Sequence, residues 1–205
     1  MANIKAPRGF VPSRYRDGSP WNGATNMYFI PSTDTNQYNP GDVVLTAASG
    51  ADANGIAAVV KNTAGTGVVR GVVVGCLLAN PNQPSIQGTN LDLTVQNIPA
   101  TKTKGYYVLV CDDPGVVFQI QDDGITTGNL VAASVGLNAS FTVTNPTAPQ
   151  QNSATVLLSS SFATTAALTV KLLGLTQLPN NAFGAFATWD VMFNQHEFMG
   201  NTAGI

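Results

Sequence analysis

Tyr106-Tyr107-Val108-Leu109-Val110-Cys111 is followed by Asp112-Asp113-Pro114-Gly115, then by Val116-Val117-Phe118-Gln119-Ile120-Gln121 and Asp122-Asp123-Gly124. Both apolar runs are short and rich in β-branched and aromatic residues, which fit a pleated, half-buried surface. The first is apolar throughout, so it is expected to be buried on both faces or at an interface. Asp, Pro and Gly bound each run, because Asp accepts local turn hydrogen bonds and Gly takes positive φ without strain. Two strands joined by a four-residue turn carry a hairpin signature.

The same texture extends in both directions. Towards the N-terminus, strands are expected at Asp42–Ala48, Ile56–Lys61, Val68–Ala79 and Leu91–Val95. Towards the C-terminus they are expected at Leu130–Val135, Ser140–Thr144, Thr155–Ser160, Leu168–Leu175 and within Ala187–Phe198. No segment offers a long capped amphipathic helix; Ala163–Ala167 allows one or two turns at most. Short strands parted by Gly, Pro, Asn and Asp predict an all-β jelly roll, β-sandwich or barrel-like body over residues 41–205, with 124–128 as the place for any division.

Charge is scarce. The 205 residues hold nine cations and eleven acids, with glutamate only at Glu197, so 10% are charged where an ordinary domain has roughly 25%. Such a chain has little with which to solvate its exterior, and other chains are expected to cover much of it. Residues 1–40 carry four cations against two acids, and residues 41–205 five against nine. That footprint is too small for specific nucleic-acid binding.

Residues 1–40 differ from the rest. They hold five of the twelve prolines and six of the sixteen aromatic residues. Proline at this density excludes helix and removes ladder donors. An extended N-terminal arm that orders on a partner surface is expected, with a strand wrapping its own barrel, or a frayed tail, as the alternative. Met1 to Phe10 lacks the apolar stretch of an export signal, and no run reaches the length of a membrane span.

Candidate chemistry is thin. His196 is the sole histidine, and His196-Glu197 lacks the second histidine of a zinc-protease helix. Asp112/Asp113 and Asp122/Asp123 sit where turns need them. The segment Gly65–Gly71 has the wrong spacing for a phosphate loop and leads into a β run. Cys76 and Cys111 are expected as buried thiols, a disulfide remaining open if their strands are neighbours. No catalytic, cofactor-binding or metal residue is assigned, and no enzyme is expected.

Three stretches carry a family resemblance. They are Lys171–Leu175 with Leu178–Gly184 and Trp189–His196; Gly105–Val110 with Asp113-Pro114 and Phe118–Gln121; and the aromatic, basic start ending in Asn39-Pro40-Gly41-Asp42. Together they resemble the capsid decoration, or cement, proteins of tailed bacteriophages. The loop Leu178-Pro179-Asn180 departs from that pattern in lacking charged residues. The resemblance implies a β-rich virion protein, made in the host cytoplasm. It would sit on the outer capsid surface, bridge neighbouring major capsid subunits and associate as a homodimer or homotrimer.

On this reading the arm is one contact and the body another. Phe10, Tyr15 and Trp21 would be apolar anchors, the residue types that dominate interface energies. Lys5, Arg8, Arg14 and Arg16 would pair with acidic groups on the shell. A tail-tube or other virion protein, or a β-sandwich carbohydrate-binding module, is the alternative function.

Overall fold

The computed structural model describes residues 3–77, 96–125, 130–148 and 150–199. These residues form an all-β protein of twelve strands, with two single-turn 3-10 helices at Ala132–Ser134 and Ser159–Ser161.

Five strands close a barrel: β2 (Asn26–Ile30), β3 (Val43–Ala51), β4 (Ala57–Lys61), β5 (Gly71–Leu77) and β6 (Tyr106–Cys111), in the order β2-β4-β3-β5-β6. The ladders are antiparallel except β2–β4, where Phe29 opposite Ala58 makes a parallel closure. Alternate residues point inward, so Ile30, Val44, Val59, Val73, Val108 and Val110 fill the interior. Two loop residues complete it. Tyr38 and Ile98 exchange backbone hydrogen bonds of 3.0 and 2.8 Å and are both fully buried. Gly71 is required where β5 starts, because a Cβ there would meet the Cys111 carbonyl oxygen at 2.3 Å.

The second unit is a sheet ordered β1-β7-β12-β11-β8, made of Val11–Tyr15, Val116–Gln121, Thr188–Phe193, Val170–Leu175 and Asn138–Ala139 respectively. A two-stranded ribbon, β9 (Phe141–Thr142) with β10 (Val156–Leu157), contributes Phe141 and Leu157 to the core beneath it. Phe10, Phe118, Phe162, Trp189 and Phe193 join Phe141 as its aromatic members, and Val43, Val69, Val72 and Cys111 join it from the barrel side. The core under the sheet therefore extends onto the barrel's outer side, while the barrel interior is a second, separate core.

Several expectations change. Tyr106–Cys111 and Val116–Gln121 are both strands with the expected bounds, yet they do not pair. β6 lies between β2 and β5, and β7 between β1 and β12. An apolar strand needs neighbours on both edges, and here each finds them in a different sheet. Asp112 is held in the barrel by Asn26 and by Tyr28, whose hydroxyl donates at 2.5 Å. The turn Asp112–Gly115 is thus the passage from barrel to sheet, not the tip of a hairpin.

The N-terminal segment is also not a free arm. β1 is hydrogen-bonded to β7, β2 is a barrel stave, and Phe10 is 1% exposed. The prolines serve edges: Pro12 lies on the outermost strand of the sheet, and Pro20 folds back beside Arg14 to cover it. Leu130–Val135 forms a 3-10 turn instead of a strand, its Ser134 amide donating to the Val131 carbonyl at 3.0 Å. The expected strand Leu91–Val95, the end of the run Val68–Ala79 beyond Leu77, and 126–128 of the expected division lie outside the described residues.

Candidate functional site

The seven residues expected to face a partner take up different positions. Phe10 is removed from the set, because its ring sits in the core against Phe118, Phe141 and Phe193. Arg14 reaches Asp190 at 3.2 Å, a half-exposed pair worth no more than ~1 kcal/mol. Tyr15 is half-buried and donates its hydroxyl to Asn22 Oδ1 at 2.8 Å. Arg16 is exposed, its amide fixed to the Gly115 carbonyl. Trp21 and Arg8 line a groove of 270 Å³ with Pro12, Pro40 and Val74, its floor formed partly by Phe10. Lys5 is exposed, 6.0 Å from the centroid of the Phe186 ring.

Two apolar surfaces lie beyond those residues, at opposite ends of β12. Before the strand, Leu178 and Phe183 are exposed on the loop from β11. Ile4, 81% exposed, lies alongside, because Asn3 is hydrogen-bonded to Ala182 at 2.8 and 3.0 Å. After the strand, Phe198 (58% exposed) and Met199 emerge near exposed Val68. A six-residue strand separates the two by about 20 Å.

A clasp holds the second surface. The Val69 amide donates to the Gln195 carbonyl at 3.1 Å, and the Glu197 amide to the Val69 carbonyl at 2.9 Å. Glu197 accepts from the Thr46 amide and hydroxyl at 2.8 and 2.6 Å and pairs with Arg70 at 2.6 Å. Arg70 stacks over Phe198 at 4.5 Å. His196 is buried beneath, its Nδ1 accepting from the Phe198 amide at 3.1 Å, and burial lowers its pKa.

A buried polar cluster lies at the mouth of the barrel. Asp42, fully buried, accepts from Lys61 Nζ at 2.7 Å, while Lys61 also donates to Asn145 Oδ1 at 2.7 Å and the Gln37 carbonyl at 3.1 Å. The Tyr38 hydroxyl accepts from the Lys61 amide at 3.0 Å, which sets the height of the side chain along β4. Asp42 Oδ1 is buried with no hydrogen-bond partner among the described residues. Nothing in the sequence marks this cluster, since 42, 61 and 145 share no spacing. Lys102 forms a second buried centre, donating to Asp34 and to the carbonyls of Asp34 and Asn36.

Cys76 lies opposite Val108 and Cys111 opposite Val72, so the two thiols are on adjacent strands but roughly 10–13 Å apart along the ladder. Both are free, and burial pushes each thiol pKa up to about 12. No family model, no curated protein and no solved structure matches this chain.

Proposed function

We propose that this protein decorates the outside of a phage head and cements it by bridging neighbouring major capsid subunits. The observation that carries the reading is the pair of exposed apolar surfaces at the two ends of β12, on a chain with so few charges. A bridge needs two separated contacts on a rigid spacer, and a strand in the middle of a five-stranded sheet supplies one. Once the first contact forms, the second is intramolecular, and avidity can exceed either affinity by about 10²–10⁴. Lys5 beside the first surface, with Arg8 and Arg16, favours encounter with an acidic shell more than it adds affinity. The family resemblance supports the same reading, including self-association at a symmetry axis.

The mechanism differs from arm-and-body clamping, because the folded N-terminal segment is part of the body. The test is retention on expanded cognate heads after sedimentation. Ile4→Asp/Leu178→Asp and Val68→Asp/Met199→Asp change exposed side chains on the two surfaces that take no part in the ring contacts around Trp189 and Arg70, and each pair should cut retention at least tenfold while leaving thermal unfolding unchanged. Wild-type retention by both double variants, or no binding of the wild type to heads, would overturn the proposal.

A further inference from the structure

We propose that Lys61 and Asn145 become joined by an amide bond that the folded chain makes for itself, with Asp42 carrying the protons. The nucleophile is in place: Lys61 Nζ lies 2.7 Å from Asn145 Oδ1. Since a C=O bond is about 1.2 Å long, the carboxamide carbon is within ~4 Å of the amine, close to a near-attack distance. The base is also in place, as Asp42 Oδ2 accepts from the same Nζ at 2.7 Å. Its other oxygen, Oδ1, is buried and has no hydrogen-bond partner among the described residues. That atom is free to receive a proton from one group and return it to another. A buried polar group normally finds a partner, so an orphaned carboxylate oxygen next to an amine and a carboxamide needs a reason.

The step balances without a co-reactant. Asp42 takes a proton from the Lys61 ammonium, and the neutral amine turns its lone pair onto Asn145 Cγ. An N–C bond forms as the carbonyl π bond opens to a tetrahedral intermediate. Asp42 returns the proton to Asn145 Nδ2, the Cγ–Nδ2 bond breaks as the carbonyl re-forms, and the second proton on the former lysine nitrogen passes through Asp42 to the released ammonia. One ammonium and one carboxamide become a secondary amide and an ammonium ion, and nothing is oxidised or reduced. Lysine amines act as nucleophiles when an adjacent base removes their proton, and burial from water strengthens that coupling. Asn145 sits at an exposed position beside a 150 Å³ cavity, so ammonia has a way out.

The product would staple barrel strand β4 to the segment after β9, 84 residues further along the chain. A covalent closure of that span constrains the unfolded chain far more than the hydrogen bond does. It does not depend on what the protein binds.

The test is the intact mass of the purified full-length chain, fresh and after prolonged incubation at neutral pH. The expected result is a mass about 17 Da below that of the sequence, from the loss of ammonia, with fragmentation placing it on linked peptides containing Lys61 and Asn145. Lys61→Arg and Asn145→Ala should each restore the full mass, and the second alters only an exposed side chain. Asp42→Asn should slow the loss roughly a hundredfold or more. The full sequence mass at both times would overturn the proposal. So would a loss that persists in Asn145→Ala, which would instead mark ring closure at Asn22-Gly23 or Asn54-Gly55.

Discussion

The rings of Phe10 and Phe193 lie 5.3 Å apart, centroid to centroid, so the leading segment and the last strand of the sheet share one core. Phe10 also meets Phe141 edge-on at 5.2 Å, which ties the ribbon to the same point. Its position depends on Gly9 and Gly41. Gly9 has φ +68°, Gly41 has φ +94°, and a Cβ on either would strike the other's backbone neighbourhood at 2.5 or 2.4 Å.

Phe10→Ala is therefore expected to act on folding, with a loss of roughly 3–5 kcal/mol from the emptied core. Deleting residues 1–21 removes β1 as well and should abolish the cooperative transition. Chemical denaturation measures both. A truncated chain that unfolds like the full-length one would contradict the packing of this segment.

Tyr28→Phe removes the hydroxyl that donates to Asp112 at 2.5 Å, and should cost roughly 1.5–3 kcal/mol, the range for a hydrogen bond to a charged group. Burial, followed by the neighbouring carboxylate, pushes the Tyr28 phenol pKa up to about 12. A raised folded pKa means that this contribution is intact below pH 10 and is lost as pH climbs from 10 through 12. Burial also raises the Tyr38 and Tyr15 phenols, so difference absorbance at the phenolate band should show one fewer late-titrating tyrosine in Tyr28→Phe than in the wild type.

His196 gives a pH effect of opposite sign. Burial holds its pKa below the usual 6.5, so the unfolded chain binds the proton more tightly than the folded one. The stability it contributes is complete above pH 6.5 and falls as pH drops through the folded value. Protonation at Nδ1 would also break its bond to the Phe198 amide. Asp112 and Glu197 favour the charged ring and Arg70 opposes it. His196→Gln should flatten the slope of stability against pH below 6.5, measured by urea midpoints in a buffer series.

Lys102→Met should be severe, at roughly 3–5 kcal/mol, because it leaves Asp34 and the carbonyls around it without their shared cation in a site closed to water. The expected readout is a lowered urea midpoint. A shift of less than 0.5 kcal/mol would mean that these groups are hydrated in solution.

The strands of the middle of the chain could be read directly. Tyr106–Cys111 and Val116–Gln121 have the bounds that their apolar runs and Asp-Pro-Gly punctuation imply, and Val43–Ala51, Ala57–Lys61 and Val170–Leu175 lie within a few residues of expectation. The N-terminal segment is ambiguous in sequence. Proline and aromatic residues in alternation describe an arm on a partner and an edge strand on its own body equally well. Only the pairing of Val11 with Gln119, and the burial of Phe10 and Tyr38, separates the two.

Local composition determined which residues are extended and where the chain turns, because turn chemistry and side-chain alternation act over a few residues. Tertiary structure alone decided that β6 and β7 part company at Asp112–Gly115, and that Asp42, Lys61 and Asn145 meet. Strand pairing and buried charge are settled by long-range contacts, where each apolar edge and each desolvated group takes the partner that the whole fold leaves within reach.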